Sequence, residues 1–163
     1  MKKFKFLSIV AFMGIICLAG CRSKQTIGDS YSYYNFKSTL ISASPSGYIT
    51  MRSWGSGPDK ASAIKEAKKN AVSDVLFKGF DTSNDYLARP LIYEVNAREK
   101  YAQYFDRFFS DGGEYENFVV ETSSTDGSRI ESKSQGRHNY GITVTIDRNA
   151  LKNQMRADGL INN

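Results

Sequence analysis

The side chains best suited to covalent chemistry in this chain are two thiols, Cys17 and Cys21, and one imidazole, His138. An apolar run of 14 residues, Phe6–Ala19, follows the basic segment Met1–Lys5 and is followed by Gly20 and Cys21. A basic segment, an apolar segment and small residues before a cleavage point are the parts of a secretory signal peptide. The sequence therefore predicts that Cys21 lies at a processing site, with its thiol as the reactive group.

The four residues Leu18-Ala19-Gly20-Cys21 resemble the lipobox of bacterial lipoproteins. This resemblance implies that signal peptidase II cuts between Gly20 and Cys21, that the thiol receives a diacylglyceryl group, and that the new amine is acylated. Each buried methylene contributes about 0.8 kcal/mol, so one acyl chain binds a bilayer reversibly whereas two or three hold it stably. A transmembrane helix, the competing interpretation, needs about 20 apolar residues. We expect residues 1–20 to be a signal peptide and the protein to be lipid-anchored.

The charge balance changes once residues 1–20 are set aside. The count of Lys and Arg falls from 22 to 19, against 17 Asp and Glu, so the formal charge falls from +5 to +2. Most of the basic character that would attract nucleic acid therefore belongs to the signal segment, and we expect no nucleic-acid partner. An Asp just after the lipid-bearing cysteine would resemble an inner-membrane retention signal, but this chain has Arg22-Ser23 there. The expected location is therefore the outer membrane of a bacterial envelope.

Metal and cofactor chemistry has little support in the remaining residues. Cys17 leaves with the signal segment and Cys21 carries lipid, so a zinc site built on Cys and His is excluded. No Asp-rich loop of EF-hand spacing is present in the sequence. We expect neither a metal nor a cofactor.

Two carboxylates, Glu121 and Glu131, are the best candidates for the acid pair that glycosidases use. A two-residue turn at Asp126-Gly127 would join their strands and put the two residues in diagonal positions. Successive residues of a strand point to opposite faces, so the carboxylates would lie on opposite sides of this hairpin. The G-x-S-x-G nucleophile motif is also absent. We expect a protein that is not an enzyme, and an envelope hydrolase is the second alternative.

Residues 22–46 have the composition of a tether between the lipid and a folded domain. A flexible segment of about 20 residues would reach on the order of 25 Å from the bilayer. An aromatic cluster stands in its second half: Tyr31, Tyr33, Tyr34 and Phe36. One interpretation is that this cluster docks the tether onto the domain, and the other is that it binds a partner or the lipid headgroups. The breaker residues of Ser42–Ser46 place the domain boundary at residue 46.

The folded domain is predicted to open with a strand over Gly47–Trp54, where residues alternate with a period of two. Gly55-Ser56-Gly57 is interpreted as a turn into a helix that begins at Pro58-Asp59 and ends at Gly79. The apolar residues of this helix form one stripe at spacings of three and four: Ala63, Ile64, Ala67, Ala71, Val72, Val75 and Leu76. A phosphate-binding loop is not predicted because the required glycine and lysine positions are missing.

A second helix is predicted over Ala97–Ser110, with Asn96 and Glu99 spaced as a capping box. Its aromatic residues share one broad face, which favours a core over a platform for glycan or peptide: Tyr101, Tyr104, Phe105, Phe108 and Phe109. The rest reads as strands at 118–122, 129–135 and 140–146, followed by a helix that Asp147 caps and that runs to about Ala157. His138 is interpreted as a surface residue.

Together these elements predict one α+β domain, residues 47–163, with about four mostly antiparallel strands and about three helices packed on one face. The strand before Trp54-Gly55-Ser56-Gly57, the alanine register of the first helix and the strand running into Asp147–Leu151 resemble a family of small envelope lipoprotein domains. That family includes the amino-terminal domain of the flagellar assembly protein T. The resemblance implies a non-catalytic accessory subunit of an envelope or secretion assembly, with an envelope protein as partner. We expect binding through the aromatic cluster or the exposed 128–135 strand, and glycan or peptidoglycan binding is the alternative.

Overall fold

A computed structural model describes residues 38–84, 87, 89–123 and 137–161. These residues form a four-stranded antiparallel sheet in the order β1-β2-β4-β3. The strands are β1 (Thr39–Ala43), β2 (Tyr48–Gly57), β3 (Val119–Ser123) and β4 (His138–Asp147). The helices are α1 (Lys60–Phe77), α2 (Ala97–Lys100), α3 (Ala102–Phe108) and α4 (Arg148–Ala157), with a 3-10 helix at Glu114–Phe118. The predicted α+β class, with helices packed on one face of the sheet, is confirmed.

The long central strands pair over their whole length, from Tyr48 opposite Asp147 to Gly57 opposite His138. Alternate residues of β2 are buried, as the period of two predicts: Ile49, Met51, Ser53, Gly55 and Gly57. They meet the buried stripe of α1 and the inward residues of β4 and α4 in one core. The helices therefore cover the face of the sheet that carries these buried residues.

α4 begins and ends where the sequence predicts, whereas α1 begins at Lys60, with Asp59 as its N-cap, and not at the predicted Pro58. The Asp59 carboxylate accepts a hydrogen bond from the Ser62 N–H at 2.8 Å, and the Asp147 carboxylate accepts one from the Ala150 N–H at 2.8 Å. Gly79 follows α1 with φ +71° and donates its N–H to the Asp74 carbonyl. Such side-chain caps satisfy the first free N–H groups of a helix, and a left-handed glycine satisfies its last carbonyls.

The expectation that the tether runs to Ser46 is wrong for residues 39–43, which form β1 and pair with β2. Four of the five residues of β1 are exposed, and only Leu40 packs against the core. An edge strand of this kind carries almost no hydrophobic alternation, so its sequence resembles that of a linker. The domain therefore begins before residue 47.

The interpretation of Gly55-Ser56-Gly57 as a turn is also wrong, since these residues continue β2. A Cβ atom added at Gly55 would lie 2.1 Å from the Ala63 carbonyl oxygen and 2.3 Å from the Ala67 nitrogen. Gly55 is therefore present because the backbone of α1 lies directly against the backbone of β2. Close approach of two backbones is one of the recognised reasons for glycine inside a strand.

The predicted helix over 97–110 is interrupted at Tyr101 and splits into α2 and α3. The capping box is wrong because Asn96 is left-handed (φ 64°) and makes no side-chain cap. The prediction of an aromatic core is confirmed: Phe105 and Phe108 are buried, and Tyr101, Tyr104 and Phe109 pack against the same core. Among the described helices, none has the length and apolar composition that crossing a bilayer requires.

Candidate partner-binding surface

The helices leave one face of the sheet uncovered, and we call it the open face. It consists of Tyr48, Thr50, Arg52 and Trp54 of β2 and their partners Asp147, Thr145, Thr143 and Gly141 of β4. Cross-strand partners share a face of the sheet, so these side chains stand together. Tyr48 and Arg52 are exposed, whereas Thr50, Thr143, Thr145 and Trp54 are half-buried.

Trp54 contacts the neighbouring strand through its side chain and α1 through its backbone. A Cβ atom added at Gly141, its cross-strand partner, would lie within 2.8 Å of three atoms of the indole ring, so the ring rests directly on the glycine. The Asn70 side-chain amide of α1 donates a hydrogen bond to the Trp54 carbonyl at 2.8 Å. An aromatic side chain that packs over a glycine of the neighbouring strand shields backbone that would otherwise be exposed to solvent.

Hydroxyl and guanidinium groups make up most of the polar part of the open face, beside the Asp147 carboxylate that caps α4. The Thr50 and Thr145 hydroxyls hydrogen-bond to each other at 3.0 Å. Arg52 lies between Thr39 of β1 and Thr143 of β4 in the register of the sheet. At the end of β2, the Arg137 guanidinium donates to the Ser56 hydroxyl and carbonyl at 3.1 Å each. The open face therefore presents two arginine side chains beside threonine hydroxyls and an indole.

Each edge of the sheet carries one register shift, between Leu40 and Ser42 in β1 and between Val119 and Glu121 in β3. The extra residues at these bulges are apolar and exposed, Ile41 by 53% and Val120 by 57%. A bulge interrupts the row of backbone groups that a further strand would pair with. The two edges are therefore poor templates for the addition of a strand, and the open face is the better candidate for binding a partner.

The residues that the sequence singled out for lipidation and for partner binding lie outside the described residues: Gly20, Cys21, Tyr31, Tyr33, Tyr34 and Phe36. The 128–135 strand and Glu131 lie outside them too, so the expected carboxylate geometry stays a prediction. Glu121 is exposed on β3 opposite Thr145. His138 is half-buried at the start of β4, opposite Gly57.

The described residues hold no group of three or more His, Cys, Asp and Glu side chains that would bind a metal ion. A cavity of about 390 Å³ lies beside α3, lined by Arg98, Glu99, Ala102, Phe105, Asp106 and Phe109. The Arg98 guanidinium lies 5.2 Å from the centre of the Phe77 ring and 5.9 Å from that of Phe109. Such stacking fits a cation that covers the rim of the aromatic core.

Two tyrosines of the aromatic core have strongly raised pKa values, and both serve the fold. Burial raises the pKa of Tyr104, and the Asp158 carboxylate, which accepts its hydroxyl at 2.5 Å, raises it further. Burial likewise raises the pKa of Tyr115, with a second contribution from its hydrogen bond to Glu116 at 2.9 Å. These neutral hydroxyls join α3 and the 3-10 helix to nearby carboxylates.

Asp111 links α1 to the loop after α3, since it accepts from Lys65 at 3.0 Å and from Lys69 at 3.1 Å. These two hydrogen bonds, Lys65 first, lower the pKa of Asp111 below its ordinary value of 3.8. A carboxyl whose folded pKa is lowered stabilises the fold above its unfolded pKa, and the stabilisation disappears as the pH falls through the folded value.

We therefore expect Asp111→Asn to lower the melting temperature at pH 7 and to leave it nearly unchanged at the acid end of the titration, well below pH 3.8. Melting curves of both proteins across this range measure the difference. Asp106→Asn is the matched control, an exposed carboxylate of α3 for which the described part of the chain shows no ion pair. An equal loss at both ends of the range would contradict the assigned role of the lysine contacts.

Comparison with protein-family models, curated proteins and solved structures finds no match for this chain. Its function must therefore be argued from its own residues.

Sequence reasoning missed two features of this region. The first is the open face. The alternation of Tyr48, Thr50, Arg52 and Trp54 predicted the strand, and the same alternation identifies the β2 residues of this face. Arg148 offered no such signal: it is buried at the start of α4 and donates to the Arg89 carbonyl at 3.5 Å.

Proposed function

We propose that this chain is a lipid-anchored protein of the bacterial envelope, at the outer membrane, which acts as a non-catalytic accessory subunit. In this proposal the open face binds a protein partner of an envelope assembly. The observation that carries it is the open face itself, where arginine, hydroxyl and indole groups stand together on two paired strands. Binding surfaces in which aromatic and arginine side chains stand on regular elements are typical of protein interfaces.

Anchoring is supported by the lipobox-like Leu18-Ala19-Gly20-Cys21 and by the basic and apolar segments before it. A protein held by two or three acyl chains stays on the membrane surface, so its partner need only reach that surface. The resemblance to the family that includes the amino-terminal domain of the flagellar assembly protein T supports an accessory role in a larger machine.

The chemistry of the partner follows from the charges of the open face. Arg52 is exposed near its centre and Arg137 lies at its end. Guanidinium groups bind carboxylates through paired hydrogen bonds. The threonine hydroxyls both donate and accept, so they suit backbone or amide groups. We propose a protein partner whose contact surface carries Asp or Glu side chains among polar groups.

The anchor is tested by Cys21→Ala expressed in a bacterial host. We expect the wild-type chain in the membrane fraction with acyl chains attached, and the variant without them. Mass measurement of the purified proteins reads out the modification, and fractionation reads out the location. A wild-type chain that lacks acyl groups, or an acylated Cys21→Ala, would contradict the proposal.

The partner surface is tested by crosslinking the acylated protein in its native membrane and comparing Arg52→Glu with wild type. We expect the variant to lose the main crosslinked protein, because reversal of an interfacial charge opposes a complementary partner. Arg107→Glu is the matched control, since Arg107 is exposed on α3 and lies in the helical layer. Equal loss in both variants would contradict a role for the open face, and retention of cell-wall fragments alone would favour the glycan-binding alternative.

A further inference from the structure

We infer that the cavity beside α3 binds a short peptide that has free termini and an apolar side chain between them. In this site the Arg98 guanidinium binds the carboxylate terminus of the peptide, and the Asp106 carboxylate binds its ammonium terminus. The cavity lies in the helical layer, so the inference depends neither on the open face nor on the lipid anchor.

The cavity has an apolar wall and a volume suited to a small ligand. Its volume of about 390 Å³ falls in the range of about 300–1,000 Å³ that ligand sites occupy. Ala102, Phe105 and Phe109 form the apolar part of its lining. The two phenyl rings are stacked, with their centroids 6.3 Å apart and their planes at 29°. Phe105 is only 4% exposed, so its ring belongs to the core and fixes the wall.

The charged residues of the cavity lie along one helical face. Arg98, Ala102 and Asp106 follow one another at a spacing of four residues, which keeps them on the same side of a helix. Helical hydrogen bonding continues past the break between α2 and α3, because the Phe105 N–H donates to the Tyr101 carbonyl at 3.1 Å. The step from Arg98 to Asp106 therefore covers about 12 Å along the helix.

Three exposed charged side chains border the apolar wall: Arg98, Glu99 and Asp106. None of the three forms an ion pair with another residue that the structure describes. The cavity thus carries a cation and two carboxylates that have no opposite charge of their own to bind. Charge complementarity favours a ligand with both a carboxylate and an ammonium group, and the second carboxylate, Glu99, disfavours a ligand that is only anionic.

The Arg98 guanidinium is held at the cavity by two aromatic rings. It lies 5.2 Å from the centre of the Phe77 ring and 5.9 Å from that of Phe109. A guanidinium that contacts an aromatic ring can keep its N–H donors, which lie in its own plane, for a carboxylate. A side chain that is already held in place also loses less conformational freedom when a ligand binds. Arg98 therefore suits the carboxylate terminus of the peptide.

The separation of the charges sets the length of the peptide. An extended chain rises about 3.3 Å per residue, so about three residues match the distance from Arg98 to Asp106. The side chain of the middle residue then lies against the wall formed by Phe105 and Phe109. An aromatic side chain gains most there, because stacked and edge-on contacts between rings add to the burial of apolar surface.

The test measures binding of the tripeptide alanyl-phenylalanyl-alanine to the full chain in detergent solution by isothermal titration calorimetry. Three forms of the peptide are compared: one with free termini, one with an amidated carboxyl terminus and one with an acetylated amino terminus. We expect each blocked form to bind at least about tenfold more weakly than the free form, because each loses a charge-assisted hydrogen bond. Equal binding of all three forms, or no binding of the free form, would overturn the proposal.

Two variants assign the contacts to their residues. In Arg98→Gln the free and amidated peptides should bind equally, and in Asp106→Asn the free and acetylated peptides should bind equally. Arg107→Gln is the matched control, because Arg107 is exposed on α3 but does not line the cavity. Circular dichroism first establishes that each variant folds. If a folded Arg98→Gln still preferred the free carboxyl terminus, the assignment would be wrong, and the blocked peptides test the site on the wild-type chain whether or not the variants fold.

Discussion

Gly55→Ala is expected to prevent stable folding of the domain. The added Cβ atom would meet the Ala63 carbonyl oxygen at 2.1 Å and the Ala67 nitrogen at 2.3 Å, and both belong to the backbone of α1. A flexible side chain can move away from an inserted methyl group, but here a helix would have to separate from the strand. Overpacking costs about 1–3 kcal/mol where side chains can adjust, so we expect a loss of at least about 3 kcal/mol in the free energy of unfolding.

Urea unfolding followed by circular dichroism measures this loss, with Gly159→Ala as the control. Gly159 has a left-handed backbone (φ +73°) but open space around its Cβ position. Its replacement should cost only about 1 kcal/mol from backbone conformation. Equal stabilities of Gly55→Ala and wild type would show that α1 does not approach β2 as closely as described.

Phe108→Ala is expected to destabilise the domain by about 3–5 kcal/mol, the range for removal of a buried phenyl ring. Phe108 is buried in the aromatic core. Its ring lies 5.0 Å from Phe109, 5.8 Å from Tyr104 and 5.9 Å from Phe118, measured between ring centroids. Removal leaves a cavity bordered by α3 and the 3-10 helix, whose aromatic partners lose contacts together.

Thermal and urea unfolding give the free energy for this variant, and Val120→Ala serves as the comparison. Val120 is 57% exposed at the β3 bulge, so its truncation should change stability by less than about 0.5 kcal/mol. If Phe108→Ala proved as mild as Val120→Ala, the aromatic residues of α3 would not be core, and a stacking platform for ligands would become the better interpretation.

The parts of the fold that the sequence predicts are those with strong local signals. α1 and α4 have an aspartate cap, a regular apolar stripe and a glycine stop, and all three signals act within a few residues of each other. β4 alternates between buried and outward residues over most of its length. Such signals need no knowledge of the rest of the chain.

What the sequence does not predict depends on contacts between distant residues. β1 is a strand because β2 supplies its hydrogen bonds, and Gly55 is required because α1 lies against it. The open face combines side chains of two strands that are about 90 residues apart in sequence, so no local window contains it.

The two edge bulges gain a further meaning in the lipid-anchored state that we propose for this protein. Molecules anchored in the same membrane meet their own copies at a high effective concentration, which favours contacts too weak to matter in dilute solution. Unprotected strand edges would then join copy to copy into extended sheets. Within the described residues β1 and β3 are the outer strands of the sheet, and Ile41 and Val120 interrupt their pairing edges. In the lipid-anchored state proposed above, crowding on the membrane would therefore raise the local concentration of the protein without driving it to polymerise.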